Sequence, residues 1–426
     1  MRLPLELLLH VFNILAEQDY ETLKECALVC SQFSSHCQRL LFEEIELGLG
    51  FNMSVVQRLW KVLEGNPELG TFVKSLYLYF LTGPSHADPD LPRILTKFTQ
   101  VKSFTLRTAA ISPIWRTIFP SITRAALDSI LHSPALNRLA IIHFSEVPFS
   151  ATFSQCCQSL TSLELDLIES VPRIGEGKDI AKAETRGGRG PLILRYLTVD
   201  PPALLPALME ARWDDNLPVF DFSQLRHLTI ETVSQQSYGP DINGFLRRGV
   251  PLEKLDLIYH GVFKFTFLTS FLVILLIPDT STGTIQQSFE GLFTYDSPLV
   301  CFSTLRYITV STASHSNMGR QYSFPFGDLL VELRRFPARS VLEDVRLQLK
   351  LFVGGSPCQA VTANDDWISA LARSFERETF PFLKSVGVDV TIRGPGPYTQ
   401  LFGDVSFDHL DLHFDLSFTS TLRGLN

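Results

Sequence analysis

The chain has 426 residues, 45% of them hydrophobic and 19% charged, with a formal net charge of −8. That is enough apolar material for a large core, which excludes global disorder. Basic residues cluster no further than the pairs Arg247-Arg248 and Arg334-Arg335, so a general nucleic-acid binder, which must displace counterions from phosphates, is excluded. Seven cysteines at scattered positions do not make a disulfide framework and point to a reducing compartment.

The stretch LPLELLLHVF, residues 3 to 12, poses the first choice. A secretory signal needs an unbroken apolar run and a small-residue cleavage site. Glu6 and His10 interrupt the run, and Glu17 and Asp19 follow it. A helix fits better. Pro4 suits a helix start, where its missing N–H has no partner, and Glu6 agrees with the helix dipole. Leu7, Leu8, Val11, Phe12 and Leu15 recur at helical spacing as one apolar stripe.

Residues 21 to 47 continue the helical pattern. Leu23, Cys26, Ala27, Cys30 and Phe33 share a face, and Leu40, Leu41, Ile45 and Leu47 extend the signal beyond a polar gap. Two or three short helices in so few residues cannot bury all their own apolar surface. Leftover apolar faces imply docking on a partner.

These residues, LP-x-ELL-x-x-VF-x-x-L followed by L-x-x-CALVC-x-x-F and LLF, resemble the F-box, in the F-box-like form common in fungal proteins. Phe33 stands where that family usually has Trp. The resemblance implies that Leu3, Pro4, Leu7, Leu8, Val11, Phe12, Leu28 and Val29 help hold the adaptor subunit of a cullin-RING ubiquitin ligase of the SCF type. The next stretch is predicted as a helix with Ser54 at its N-cap, with Val55, Leu59, Val62 and Leu63 on one face, ended by Gly65-Asn66-Pro67 and followed by a strand. It is similar to the segment that follows the F-box in many fungal members.

From residue 73 a pattern of apolar-x-x-apolar-x-apolar occurs eleven times. The copies are VKSLYL (73–78), VKSFTL (101–106), LNRLAI (136–141), LTSLEL (160–165), LRYLTV (194–199), LRHLTI (225–230), LEKLDL (252–257), LRYITV (305–310), LEDVRL (342–347), LKSVGV (383–388) and FDHLDL (407–412). This is the strand half of a leucine-rich repeat, at uneven and mostly long spacing. Helix candidates lie between copies at 122–131, 242–246, 329–336 and 367–375. Strand, loop, helix and loop stack into a solenoid with a parallel sheet on its concave side. An ordinary α/β domain is the alternative.

The longest interval, between Leu252 and Leu305, contains 261–284, which matches no part of the repeat. It reads as a surface insertion or as a translated intron. Its apolar core, Phe265 to Ile277, is shorter than the roughly 20 residues a membrane helix needs. The polar, glycine-rich stretch 173–190 reads as a long loop.

Motifs for chemistry fail one by one. Gly177-Lys178 lacks the glycine and hydroxyl residue of a phosphate loop, and Gly354 to Cys358 lacks the last glycine of a nucleophile elbow. Cys26 and Cys30 lie on an apolar helical face and read as small buried hydrophobes rather than metal ligands. No catalytic residue, metal or cofactor is expected, and no enzymatic activity.

A target protein would meet the residues between the apolar positions of each strand. At these positions Glu164, Asp166, Asp200, Glu231, Asp256, Asp344, Asp389 and Asp411 outnumber Arg107, Arg138, Lys254 and Arg346. Glu164, Asp166, Asp200, Glu231 and Asp256 become the candidate target-binding residues of an acidic concave face that prefers a basic partner; an ordinary solvated face is the alternative. The expected organisation is a helical F-box over 1–47, a linker helix over 48–72 and a leucine-rich-repeat-like α/β domain over 73–426. The expected role is target recognition for a ubiquitin ligase, or else a scaffold without ligase function, in the cytoplasm or nucleus, with no nucleic acid and no membrane as partner.

Overall fold

A computed structural model of the chain describes residues 4–49, 53–80, 89–109, 121–145, 147, 149–153, 156, 158–166, 168, 190–213, 215–232, 239–248, 250–259, 304–316, 341–353, 380–394 and 412–420. The protein is mixed α/β, with its principal strands parallel. Two compact units divide it: Met1–Ile193 with Ala211–Asp221, and Leu194–Glu210 with Phe222–Asn426.

The first unit opens with three helices, α1 (Leu5–Gln18), α2 (Tyr20–Val29) and α3 (Ser31–Leu41). The Pro4 carbonyl accepts from the N–H groups of Leu7 and Leu8 as α1 begins. Asp19 caps α2, its carboxylate accepting from the Thr22 backbone N–H at 3.1 Å and the Thr22 hydroxyl at 2.6 Å. Both bonds hold the Asp19 carboxyl below its usual range, the hydroxyl contact most. Phe12, Leu23 and Cys37 form the core of the three helices, with Leu8, Leu15, Cys26, Ala27 and Phe33 packed against it. Phe12 and Phe33 meet edge to face at 5.0 Å, so a phenylalanine at position 33 fills an aromatic site.

Ile45 and Leu47, predicted to extend the helical signal, instead lie in strand β1 (Glu44–Leu49). The reason is alternation: between Glu44 and Leu47 apolar and acidic residues take turns, the period of a half-buried strand. Helix α4 (Met53–Gly65) follows and starts one residue before Ser54, so Ser54 is inside it rather than capping it. Its buried residues are Val56 and Leu63, and Val62 faces water. Pro67 ends the α-helical run and opens a 3-10 turn to Phe72.

Then come β2 (Ser75–Phe80), helix α5 (Leu91–Leu95), β3 (Ser103–Thr108), α6 (Ser121–Leu131), β4 (Arg138–Ile142), α7 (Phe149–Phe153) and β5 (Ser162–Asp166). Strands β1 to β5 pair in parallel and in chain order. The register aligns Leu76, Phe104, Leu139 and Leu163, and two residues on Leu78, Leu106, Ile141 and Leu165. Both rows are buried, because in a strand residues two apart share a face. A short parallel pair, β6 (Leu192–Ile193) with β8 (Phe220–Asp221), completes this unit.

The second unit repeats the plan with β7 (Tyr196–Val199), α8 (Leu204–Glu210), β9 (His227–Thr232), α9 (Gly239–Leu246), β10 (Lys254–Tyr259), β11 (Tyr307–Ser316), β12 (Asp344–Val353), β13 (Ser385–Gly394) and β14 (Leu412–Ser420). Strands β7, β9, β10, β11, β12, β13 and β14 pair in parallel in that order. The first ten motif copies therefore each run into a strand, and β14 begins at the last residue of the eleventh. Helices α6 and α9 cover the predicted 122–131 and 242–246. The stretches 261–284, 329–336 and 367–375 lie outside the described residues.

One hydrogen-bond device recurs at nine strand entries, those of β2 to β5 and β9 to β13. The carbonyl of the residue immediately before a strand takes the N–H of two successive residues of the next repeat: Lys74 from Lys102 and Ser103, Lys102 from Asn137 and Arg138, Arg226 from Glu253 and Lys254, Glu253 from Arg306 and Tyr307. These are the second positions of the motif copies, and their side chains form a row. In the second unit that row alternates in charge. Arg226 pairs with Glu253, and Glu343 pairs with both Arg306 at 3.3 Å and Lys384 at 2.6 Å. Hydrogen bonding to Lys384, first, and the charges of Lys384 and Arg306 hold the Glu343 carboxyl below its ordinary value.

Candidate interaction surfaces

Two surfaces carry the predicted residues. On α1 the apolar band is wider than one face needs, and the helix divides it. Successive residues advance about 100° around the axis. Leu8, Phe12 and Leu15 therefore turn toward α2 and α3, and Leu7, Val11 and Ile14 toward the outside. Phe12 is 4% exposed, whereas Leu7 is 52% and Val11 47% exposed. At the end of α2, Leu28 and Val29 are 87% and 69% exposed. Phe12 is thus removed from the adaptor-contact set, because it fills the core of the three helices, and Leu8 lies partly within that core. Leu3 lies outside the described residues, and Pro4 is exposed. Ile14, exposed on the outer stripe, was missed because the single stripe drawn from the sequence merged two. Cys30, expected to be buried, is exposed at the break between α2 and α3.

The second kind of surface is, in each unit taken by itself, the sheet face opposite the buried rows. Several of its acids are paired with cations of the same face. Arg138 pairs with Glu164 at 3.1 Å. Asp344 pairs with Arg346 at 3.6 Å. Asp256, nearly buried, accepts from Lys254 at 2.8 Å and lies 2.6 Å from His227 Nε2. Burial pushes the Asp256 carboxyl upward, but hydrogen bonds from His227, Lys254 and Thr309 outweigh it and hold the group below its usual value near 3.8.

Asp200 does not belong to this face. It is 3% exposed, because β7 ends at Val199 and the chain turns there toward α8. Glu231 is half-buried on β9, and Asp166 half-buried on β5. Asp411 lies outside the described residues. The face carries aromatic residues that the charge tally ignored: Tyr77 and Tyr79 on β2, Tyr196 on β7 and Tyr307 on β11. Arg107 stands over the Tyr79 ring, 5.7 Å from its centroid. Its hydrogen bond with Tyr77 outweighs partial burial and holds the guanidinium above its ordinary range, with Asp166 adding a smaller attraction.

A cleft of about 340 Å³ lies below the strand entries of the second unit, lined by Arg226, Glu253, Arg306 and Thr304 among others. Its two arginines are engaged by Glu253 and Glu343. Gly177-Lys178 and Gly354 to Cys358 lie outside the described residues. Among the described residues no helix is long and apolar enough to cross a membrane. Comparison of the chain with protein-family models and with curated proteins finds no match.

Proposed function

We propose that this protein is a target-recognition subunit of a cullin-RING ubiquitin ligase, an F-box docking the adaptor and an irregular leucine-rich-repeat solenoid receiving the target. The observation that carries the reading is the outer stripe of α1 and the end of α2. Leu7, Val11, Ile14, Leu28 and Val29 stand in water, although their helices already possess a core. Apolar side chains left outside a completed core mark an interaction site. They lie within the segment that resembles the F-box. The parallel strands, nine of them entered through the same double hydrogen bond, support the repeat half of the reading. The protein would act by holding a target where another subunit performs the transfer, a contribution of proximity and not of chemistry.

The test is capture of purified adaptor by the chain and by a variant with Leu7, Val11, Leu28 and Val29 changed to Ser. The variant should lose binding while keeping its melting temperature, since the replaced side chains are already exposed. Equal capture by both proteins, or by neither, would overturn the assignment.

A further inference from the structure

The sheet face of the first unit contains a vacancy beside an aromatic ring. Tyr79 sits in register between Gly48 on β1 and Arg107 on β3. One face of its ring is taken by the Arg107 guanidinium. On the side away from Arg107 its strand neighbour is Gly48, where a side chain would meet nothing within 4 Å. β1 ends the strand order, so among the described residues no further strand borders the gap on that side. Glu46 stands two residues before Gly48 on the same face of β1, roughly 7 Å along the strand. It is exposed and directly opposite Tyr77, and it makes no ion pair among the described residues.

We propose that β1 and β2 form a slot for a cationic side chain, an arginine or lysine carried by a target protein. The cation stacks on the open face of Tyr79 above Gly48, and Glu46 is its counter-ion. The inference rests on the sheet face receiving a target and is independent of what α1 and α2 hold. The chemistry is complementary on each side. An aromatic face attracts a cation through its quadrupole, and a carboxylate at the rim supplies charge and hydrogen-bond acceptors. Two cations across one ring would repel, but Asp166 draws on Arg107 and Glu46 would draw on the newcomer. The simpler account makes Glu44 and Glu46 guards against edge-to-edge aggregation. That account needs the charges and leaves the gap at Gly48 without a purpose.

The probe is a fluorescein-labelled peptide alternating arginine and glycine, which places every arginine on one side of an extended chain. Its affinity is measured by fluorescence anisotropy at low salt, with the full chain and without adaptor. Gly48→Leu, which fills the gap, and Tyr79→Ala should each weaken binding about fivefold. Glu46→Gln should weaken it by a similar factor and flatten the salt dependence. Glu210→Gln, which removes one exposed acid from the second unit, should change nothing. Gly48→Leu adds atoms in open space and should melt with the wild type, which separates loss of the slot from loss of the fold. No binding by the wild type, equal binding by Gly48→Leu and the wild type, or an equal loss in Glu210→Gln would overturn the proposal. The last outcome would mean general attraction to an acidic protein.

Discussion

The three N-terminal helices and the repeating strands solve the same problem with opposite results. In the strands, each apolar row continues from one repeat to the next, so Leu76 finds Phe104, Phe104 finds Leu139 and Leu139 finds Leu163. Among these strands each copy is covered by its neighbour. Among the described residues the three-helix unit occurs once. Its helices bury Phe12, Leu23 and Cys37 and leave Leu28 and Val29 outside. Repetition closes a surface, and a single small helical unit leaves one open. Stability should therefore be concentrated in the strands and recognition in the exposed apolar residues of the helices. The outward sheet face of each unit carries a different chemistry, made of tyrosines and paired charges.

The comparison predicts where damage should be greatest. Phe104 is almost wholly buried and lies in the first apolar row of the strands. Phe104→Ala should cost about 3–5 kcal/mol, read as a lower denaturant midpoint. A loss below about 1 kcal/mol would show that the row is not packed as described. Gly70 tests the turn before β2. A Cβ there would lie 2.7 Å from the Lys97 carbonyl oxygen, which is backbone and cannot swing away. Gly70→Ala should cost about 1–3 kcal/mol, and a neutral result would place that turn elsewhere.

Asp256 sharpens the comparison within the sheet, since it is a charge held at a position where water is mostly excluded. Replacing it with Ala leaves Lys254 and His227 without their acceptor and should cost about 1–3 kcal/mol at neutral pH. The sign of the pH effect follows from its depressed carboxyl. The folded protein binds the proton less readily than the unfolded chain. The stabilisation is therefore complete above about pH 4 and is lost as pH falls through the folded value. Acid titration of the wild type and Asp256→Asn should converge below that range. A constant gap between the two curves would contradict the assignment.

Much of this architecture is legible in the sequence. The apolar-x-x-apolar-x-apolar copies mark their strands because period-two alternation and the strand entry recur together at each copy. What escaped has definite physical causes. β1 was merged with a helix because Ile45 and Leu47 follow Leu40 and Leu41 closely enough to fit either period. Phe12 and Leu7 were placed on one stripe because apolar residues nearly encircle α1, and only packing decides which half turns inward. The tally weighs acids against bases along the chain, while Arg138 and Glu164 meet only through adjacent strands. Asp200 was lost to a strand that stops one residue early. The slot at Gly48 had no signature, since β1 itself was unread and an absent side chain leaves no pattern.

A smaller effect should come from the alternating row of charges. Glu253 is paired with Arg226 and lines the same cleft as Arg306. Glu253→Lys would set three cations side by side. The residues are well exposed, so the cost should be only about 1 kcal/mol and should shrink as salt is added. A cost that does not respond to salt would mean that Glu253 acts through packing.

The smallest expected effect is the most informative about the helices. Leu28 and Val29 end α2 in water, so Leu28→Ser with Val29→Ser removes almost no buried area and should leave the melting temperature of the isolated chain unchanged. Substitution of a core residue nearby, Leu23→Ala, should lower it clearly, because Leu23 is fully buried. The contrast separates residues that build the helical unit from those it presents. If the double serine variant melted as early as Leu23→Ala, the end of α2 would be covered by the chain itself. The surface would then be internal packing, and an adaptor could not use it without first displacing what lies upon it.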